Sequence, residues 1–311
     1  MVDFKDPTQV LKYAKEKLGD VITCTRMTGG GVNYVYRLKY ADKSIVLKHY
    51  AAHLSSDTEF EYSQERYLVE KKVLSTFGKF NKKQVKVPKL LYFDDANYVV
   101  VMEDGGEKIV CLEDYFLNKN DHLEWDNLAS SIVEFFANLH LFDANSVSDV
   151  FLNPLAIKTN HYFHDNMLAE KLKSLEPFKN DKVPEIKSRK TLVMGDFWPN
   201  SICLNFESRT IWVVDWETAR FGNGLDDIAQ CSGNLWLMEQ KPELFNTSRI
   251  QQFTSEMVSE YILKTGAVVT RENRIRTLIY IVYLARYPHW GFADPDLIIN
   301  KVVLDFNNLL K

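Results

Sequence analysis

The stretch that decides the fold is Leu192-Val-Met-Gly-Asp196-Phe-Trp-Pro-Asn-Ser-Ile-Cys-Leu204, followed by Ile211-Trp-Val-Val-Asp215-Trp-Glu217. Each half joins a short apolar run, typical of a β-strand, to a carboxylate: Asp196 lies in a Gly-Asp-Phe-Trp-Pro turn, and Asp215 follows residues 211–214. The polar residues 205–209 predict a hairpin turn between two strands. We therefore expect both aspartates at the same end of a small sheet. Buried there, they would need a positive partner such as a metal ion; the alternative is a hairpin ending in two solvated aspartates.

Composition narrows the class of protein. A chain of 311 residues with 46% hydrophobic residues suits one large domain or two smaller lobes. The net charge of −4 argues against a nucleic-acid binder, which is normally basic. The four cysteines are far apart and form no Cys-x-x-Cys pair, so we expect reduced thiols and a cytoplasmic protein. No signal peptide and no apolar run of membrane-spanning length is present, so no membrane partner is expected.

A glycine turn and a lysine stand out near the N-terminus. Gly29, Gly30 and Gly31 separate two predicted strands, and Lys48 interrupts the apolar run of a third strand at residues 44–50. Consecutive glycines let backbone N–H groups approach a ligand closely and point at an anion. A flexible turn is the plainer alternative. Lys48 needs an anionic partner, and Glu65 and Glu70 on the predicted helix 60–77 are the two candidates.

The remaining pattern predicts a change from strands to helices. Residues 98–102 are entirely apolar, which is typical of a central strand, and polar Glu103-Asp-Gly-Gly106 follows. Beyond it a helical stripe covers residues 125–139, and His140 near its end is interpreted as structural. Further helical stripes occupy residues 235–238, 253–263, 271–287 and 296–310. Residues 151–190 are irregular, and the aromatic turn at residues 287–292 either borders a pocket or packs as a surface turn.

These motifs resemble those of the aminoglycoside phosphotransferase and choline kinase-like superfamily, which is itself similar to protein kinases. Its members carry His-Gly-Asp-x-x-x-x-Asn, a hairpin, and Ile-Asp-Trp/Phe, matched in this chain at Gly195-Asp196 and Asp215-Trp216. The resemblance runs from Thr28 to about Trp290. It implies an α+β, bilobal protein-kinase-like fold with a small antiparallel-sheet N-terminal lobe and a larger, mainly helical C-terminal lobe. Residues 1–104 would then form the nucleotide-binding lobe and residues 105–311 the catalytic and acceptor-binding lobe.

The resemblance also implies roles for single residues. Asp196 would be the catalytic base, and Asp215 and Ser201 would bind Mg²⁺. Lys48 would hold the ATP phosphates beneath the Gly29–Gly31 turn, with Glu70, which the family pattern favours over Glu65, orienting it. Adenine would pair with backbone groups near Glu103 to Gly105, with Met102 lining its pocket. Asp227 would begin a helix and brace the loop that follows Asp215.

Two positions depart from the family pattern. Met194 stands where His is usual, and Ser201 stands where Asn is usual, with Asn200 one place early. Neither change removes the base or the principal metal ligand. The sequence therefore predicts an ATP- and Mg²⁺-dependent phosphotransferase that acts on a hydroxyl of a small molecule. The alternatives are a catalytically impaired kinase-like protein that binds nucleotide or a protein partner, and a fold without nucleotide.

These motifs leave the acceptor and the oligomeric state open. Known acceptors in the superfamily include aminoglycosides, choline, methylthioribose, homoserine and fructosamine adducts. A cationic acceptor favours an acidic, aromatic pocket. The groups that could build such a pocket are Trp198, Trp216, Trp236, Trp290, Asp226 and Glu217.

Overall fold

The computed structural model describes residues 2–28, 30–78, 84–142, 149–155, 173, 175, 178–181 and 191–311. Gly29 and most of the irregular segment 151–190 lie outside this set. The chain forms two compact units: unit 1 comprises Met1–Ile109 with Asn205–Glu217, and unit 2 comprises Val110–Leu204 with Thr218–Lys311. Asp215 therefore belongs to unit 1 and Asp196 to unit 2. The division predicted at residue 104 stays a prediction.

Among the described elements, strands predominate up to Cys111 and α-helices predominate after it. The strands are β1 (Thr23–Arg26), β2 (Tyr34–Lys39), β3 (Ser44–His49), β4 (Val85–Lys86), β5 (Leu90–Asp94), β6 (Val99–Glu103), β7 (Ile109–Cys111), β8 (Thr191–Val193), β9 (Ile202–Asn205), β10 (Thr210–Val213) and β11 (Arg220–Gly222). The α-helices are α1 (Pro7–Leu18), α2 (Arg66–Phe77), α3 (Leu112–Tyr115), α4 (Leu128–Leu141), α5 (Gly224–Glu239), α6 (Thr247–Thr265), α7 (Arg271–Leu284) and α8 (Pro295–Asp305).

Unit 1 is built on a five-stranded antiparallel sheet with the order β1-β2-β3-β6-β5. Alternate residues of β2 are buried, and they share one apolar core with the buried face of α1. The central strand β6 is buried at four consecutive positions, as its continuous apolar sequence predicts. Within the same unit, β10 runs parallel to β4, with Ile211 opposite Val85. Strand β10 leads directly to Asp215.

Helix α2 begins later than its apolar pattern predicts. The prediction started at residue 60, whereas the helix starts at Arg66 with Glu65 at its N-cap position. The backbone of the intervening residues is paired with an earlier segment, because Phe60 accepts from the Leu54 N–H and Tyr62 donates to the Ala52 carbonyl. These long-range bonds outweigh the local helical pattern. Glu65 consequently lies at the N-terminal end of α2, whereas Glu70 lies inside the helix.

Unit 2 is mainly helical. Helix α4 packs against α6, and α5 packs against α7. Asparagine, threonine and aspartate side chains cap the N-termini of α5 to α8, which explains where these helices begin. Strands β8 and β11 pair antiparallel, with Arg220 opposite Val193. Strand β8 leads into the Gly195-Asp196 turn, and β11 leads into α5, so this small ribbon places the turn beside the start of α5.

Candidate active site

In unit 1 a buried ion-pair cluster forms around Lys48. The Lys48 Nζ lies 2.6 Å from Glu70 Oε2, 2.5 Å from Asp215 Oδ1 and 3.7 Å from Glu217 Oε2. The predicted pair of Lys48 with Glu70 is thus present, and Glu65 does not take its place. The Asp215 side chain is 37% exposed, against 6% for Lys48 and 1% for Glu70. Asp215 is therefore the carboxylate of the cluster that is accessible to a ligand.

The Glu70 carboxylate accepts hydrogen bonds from two groups besides Lys48. Its Oε2 also accepts from the Tyr50 hydroxyl at 2.5 Å, and its Oε1 accepts from the backbone N–H of Trp216 at 3.2 Å. Trp216 directly follows Asp215, whose φ of 70° lies in the left-handed region. Glu70 therefore orients Lys48 and also fixes the main chain beside Asp215. The sequence predicted only the first of these contacts.

A second buried network lies next to the first. The Glu217 carboxylate accepts from Asn33 Nδ2 at 2.7 Å and lies 3.4 Å from Arg66 Nε. The Arg66 guanidinium is 1% exposed and also donates to the Asn33 side-chain oxygen at 3.0 Å. Sequence reasoning missed this network. The sequence carries no signal for it, because only the folded chain starts α2 at Arg66, where the cation opposes the helix dipole and favours a nearby carboxylate.

Three carboxylates of this cluster lie close enough together to bind one metal ion. Glu70, Asp215 and Glu217 each offer an oxygen within 4.8 Å of the others. Hard oxygen ligands suit Mg²⁺. When all three carboxylates are ionised, the charges of Lys48 and Arg66 leave one net negative charge on the cluster, which favours a divalent cation. The residues present therefore fit Mg²⁺, with the accessible Asp215 as the group able to reach it.

Burial and charge perturb the titration of this cluster. Burial alone would lower the pKa of Lys48, but Asp215, Glu70 and Glu217 together raise the Lys48 pKa above its ordinary value, so the ammonium stays charged. Burial raises the pKa of Glu217 to about 7, although Lys48 and Arg66 counteract that rise. Glu217 is thus the carboxyl group whose charge changes near neutral pH.

The Glu217 shift predicts a pH-dependent stability. Since its folded-state pKa is about 7 against an ordinary 4.5, the folded protein binds this proton more tightly than the unfolded chain. The stability that Glu217 contributes is complete at low pH and is lost as the pH rises through the folded-state pKa. Glu217→Gln removes this titration, so the melting temperature of the variant minus that of the parent should increase from about pH 5 to about pH 8. A constant difference across that range would contradict the assignment.

The glycine turn is partly described. Gly29 lies outside the described residues. The Gly31 carbonyl accepts from both the N–H and the hydroxyl of Ser56, at 3.0 and 2.8 Å. At Gly30 no atom of the described residues other than its chain neighbours lies within 4 Å of the position that a Cβ would take. At Gly31 a Cβ would come within 3.1 Å of the Ser56 hydroxyl. Ser56 therefore anchors the end of the turn. Contact of this turn with phosphates stays a prediction.

The segment predicted to bind adenine is held from two sides. Met102 is buried in β6, opposite Val46 of β3. The Glu103 N–H donates to the Lys89 carbonyl at 3.1 Å, and the Gly105 carbonyl accepts from Asn205 Nδ2 at 2.7 Å. The ring of Trp212 packs against Gly105, where a Cβ would approach it to 3.0 Å. A larger residue at position 105 would therefore require the Trp212 ring to move by a few tenths of an ångström.

Asp104 anchors the same segment to the sheet. Its carboxylate accepts from Arg37 Nε at 2.6 Å, Arg37 Nη2 at 3.0 Å and the Ser44 hydroxyl at 2.7 Å. Burial would raise the pKa of Asp104, but these bonds lower it below its ordinary value. Asp104 therefore remains ionised and fixes the chain where it leaves β6. Sequence reasoning assigned it no role.

In unit 2 the Gly195-Asp196 turn requires its glycine. Gly195 has a φ of 80°, and a Cβ there would lie 2.0 Å from Arg220 Nη1 and 2.4 Å from the Thr218 carbonyl. Any other residue would both strain the backbone and collide with the Thr218 carbonyl and the Arg220 side chain. Asp196 follows, and its Oδ1 accepts from Gln230 Nε2 of α5 at 2.6 Å. The turn thus presents Asp196 toward one face of α5.

A buried carboxylate supports the main chain of this turn. Asp227 Oδ2 accepts from the Met194 N–H at 2.7 Å, and Oδ1 accepts from the Gly195 N–H at 2.9 Å. His140 Nε2 lies 3.0 Å from Asp227 Oδ2, and His140 Nδ1 lies 2.8 Å from the Tyr261 hydroxyl. The structural interpretation of His140 is confirmed. Asp227 braces a loop, as predicted. Within unit 2 its carboxylate accepts from the N–H groups of Met194 and Gly195, directly before Asp196, whereas the prediction placed the brace in the loop after Asp215.

This arrangement explains how Met194 is tolerated. The Met194 side chain is fully buried, and the turn is fixed through backbone N–H groups rather than through the side chain at that position. His140 of α4 contacts the same Asp227 oxygen that accepts from the Met194 N–H. The loss of a loop histidine therefore leaves the Gly195-Asp196 turn with a hydrogen-bonded support.

Asp227→Asn should destabilise the protein. An amide retains one acceptor oxygen, so one of the two backbone N–H groups loses its partner, at a cost of about 1–3 kcal/mol in the free energy of unfolding. The matched control is Asp114→Asn, an exposed aspartate of α3 in the same unit. Denaturant unfolding of both variants checks the difference. An equal or larger loss for the Asp114 variant would contradict the bracing role.

The two polar residues after Asp196 have partners of their own. The Ser201 hydroxyl is buried and donates to the Asp196 main-chain carbonyl at 3.3 Å. Asn200 Nδ2 donates to Glu113 Oε2 at 2.8 Å. The same carboxylate lies 3.0 Å from His289 Nε2, and the His289 ring packs edge-on against Trp198. The aromatic turn at residues 287–292 is therefore tied to the loop that follows Asp196.

Several groups considered for a cationic acceptor pocket are used inside the protein. Trp216 is fully buried, and Glu217 is paired with Arg66 and Asn33. Trp236 Nε1 donates to Asp305 Oδ2 at 2.9 Å, and Asp226 is a buried neighbour of Arg276. The pocket built from all six groups is therefore not supported. Trp198 and Trp290, both against His289, are the tryptophans that remain near the Asp196 loop.

Comparison with known proteins decides the family. The model of the phosphotransferase enzyme family matches residues 23–257, which is most of the chain. The chain belongs to the phosphotransferase enzyme family. A 4-hydroxytryptamine kinase of Psilocybe cyanescens is 28% identical to this phosphotransferase over 81% of the chain and 79% of the relative. A methylthioribose kinase of Bacillus cereus (strain AH187) is 25% identical over 73% of the chain and 64% of the relative.

Solved structures give the fold of this phosphotransferase. An aminoglycoside phosphotransferase in complex with AMP-PNP and hygromycin B has a TM-score of 0.58 at 17% identity, covering 96% of this chain and 98% of that one. A choline/ethanolamine kinase family protein from Mesorhizobium loti has a TM-score of 0.52 at 15% identity, covering 99% and 95%. The α+β protein-kinase-like fold is confirmed.

Two further findings concern the cysteines and the apolar character of the helices. All four cysteines are free thiols, as their spacing predicts. Among the described residues, none of the helices has both the length and the apolar character needed to cross a membrane.

Proposed function

We propose that this phosphotransferase is an ATP- and Mg²⁺-dependent kinase that transfers the γ-phosphoryl group to a hydroxyl of a small molecule. The observation that carries the proposal is the buried Lys48, paired with Glu70 at 2.6 Å and with the accessible Asp215 at 2.5 Å. A buried ammonium between two carboxylates is a cation held ready for phosphate oxygens.

Nucleotide would bind through residues of unit 1. Lys48 would contact the phosphates under the Gly29–Gly31 turn, with Glu70 orienting it. Because the Glu103 N–H and the Gly105 carbonyl are already bonded, we assign adenine to the Glu103 carbonyl and the Gly105 N–H, with Met102 lining the pocket. Asp215 would hold Mg²⁺, and Ser201 remains the proposed residue for a second contact. When bound, the ion would neutralise charge on the phosphate oxygens.

Asp196 would act on the acceptor. Its carboxylate would accept a hydrogen bond from the acceptor hydroxyl and take the proton as the oxygen forms its bond to the γ-phosphorus. The bond from that phosphorus to the β,γ-bridging oxygen breaks, and ADP leaves. Fixing the turn through Asp227 and the carboxylate through Gln230 would preserve the geometry that such a transfer requires.

The relatives suggest which acceptors to test first. The two 4-hydroxytryptamine kinases, 28% and 27% identical, make 4-hydroxytryptamine the first choice, and methylthioribose is the second. In this chain Glu113, His289 and Trp198 contact one another at the loop that follows Asp196, and they supply a carboxylate and aromatic surfaces. Such groups suit an aromatic or cationic acceptor. We propose a cytoplasmic location on the basis of the free thiols.

ADP release measured with ATP, Mg²⁺ and each acceptor tests the proposal, with the phosphorylated product identified by mass spectrometry. We expect acceptor-dependent ADP release that stops when Mg²⁺ is chelated. The competing function is a catalytically impaired kinase-like protein, favoured by the buried Ser201 hydroxyl that is turned to the main chain. Thermal stabilisation by Mg·ATP without turnover on any hydroxyl acceptor would support that alternative.

A further inference from the structure

We infer that Gln230 is a positioning residue that holds the Asp196 carboxylate in its reactive orientation, an inference that rests on the proposed function. Gln230 Nε2 donates to Asp196 Oδ1 at 2.6 Å. The amide must present its NH₂ to the carboxylate, because its oxygen would be repelled there. A short hydrogen bond to an ionised acceptor is among the stronger kinds found in proteins. The contact therefore restricts rotation of the carboxylate.

The position of Gln230 on α5 gives the contact its significance. Asp227 and Gln230 are three residues apart and thus lie on the same face of the helix. Asp227 accepts from the backbone N–H groups of Met194 and Gly195, and Gln230 donates to the side chain of the next residue, Asp196. One helix face therefore fixes both the main chain of the turn and the orientation of its carboxylate.

The side-chain oxygen of Gln230 indicates that this glutamine does not serve the stability of the fold. Its Oε1 is buried and has no hydrogen-bond partner among the described residues. Leaving a buried carbonyl oxygen unpaired is destabilising, and such groups in native structures call for a functional explanation. An apolar side chain of similar length would avoid the penalty. A role in the reaction for the bond from Gln230 Nε2 to Asp196 explains why an amide occupies this position.

Gln230→Met tests the inference in the full-length protein. Methionine matches the length of glutamine and removes the donor. We expect kcat to fall about tenfold from lost orientation of the base, while KM for ATP changes little. The melting temperature should stay level or increase, since the unpaired oxygen is removed. Gln230→Asn, whose amide is one methylene too short, should show the same fall in kcat and covers the case in which the methionine variant does not fold.

The matched control is Gln251→Met. Gln251 also donates to a carboxylate, Glu239 Oε2 at 3.1 Å, but it is exposed and contacts the last residue of α5. This control should retain parental kcat. A double variant separates a positioning role from a structural one: on an Asp196→Asn background, Gln230→Met should cause almost no further loss, because both changes act on one group.

The outcomes separate this inference from the proposed function. An active parent with parental kcat in both Gln230 variants overturns the positioning role and leaves the kinase function standing. The same fall in kcat with and without the Asp196 carboxylate also overturns it, because it shows an indirect structural effect. A parent that phosphorylates no hydroxyl acceptor overturns the proposed function and, with it, the inference.

Discussion

Replacing Asp196 with asparagine should lower kcat by about 100-fold or more, since an amide cannot take the proton of the acceptor hydroxyl. The substitution is conservative for the fold, because the asparagine oxygen can still accept the bond from Gln230 that is 2.6 Å long in the parent. Binding of Mg·ATP should persist, as Lys48, Glu70 and Asp215 are unchanged. Steady-state kinetics with the best acceptor and a separate nucleotide titration check both parts.

The control for this variant is Asp114→Asn, an exposed aspartate of α3 in the same unit. It should keep parental kcat and melting temperature. Near-full turnover by the Asp196 variant would show that Asp196 is not the base. Loss of nucleotide binding in that variant would instead show that Asp196 acts on binding before chemistry.

Replacing Lys48 with methionine should have the second large effect. Methionine has a similar length but no charge, so the three carboxylates of unit 1 lose the cation that lies among them. We expect kcat/KM for ATP to fall by about 100-fold, a usual result of removing one electrostatic contact to a reacting group. Removing one partner of a buried ion pair should also lower the free energy of unfolding by about 3–5 kcal/mol.

Glu70→Gln and Glu65→Gln complete this experiment. Glutamine at position 70 still offers an oxygen to the Trp216 N–H but loses the charge opposite Lys48. An intermediate loss of kcat/KM is therefore expected. Glu65 lies at the N-cap position of α2, where its side chain makes no capping bond, and its substitution should change little. A greater loss from the Glu65 variant than from the Glu70 variant would refute the assignment of the ion pair.

The sequence by itself determined the class of fold through its resemblance to a known family, because the motifs that carry the resemblance are local. A lysine inside an apolar strand, a Gly-Asp turn after a second apolar run, and an aspartate ending a third strand each require only neighbouring residues to be recognised. Strand and helix types follow from the same short-range periodicities. The strands β2, β3 and β6 and the late helices accordingly lie where their patterns place them, apart from shifts at their ends.

Only the tertiary structure decided which distant side chains meet. The choice of Glu70 over Glu65 rested on a family pattern until the pairing of residues 60–62 with residues 52–54 moved the start of α2. Glu217 bonds to Asn33 across 184 positions of sequence, and Gln230 reaches Asp196 across 34. Polar partners of this kind are selected by packing in three dimensions, since a buried charge takes whichever complementary group the fold brings within reach. No local period encodes that choice, which is why Arg66, Asn33 and Gln230 became visible only in the folded chain.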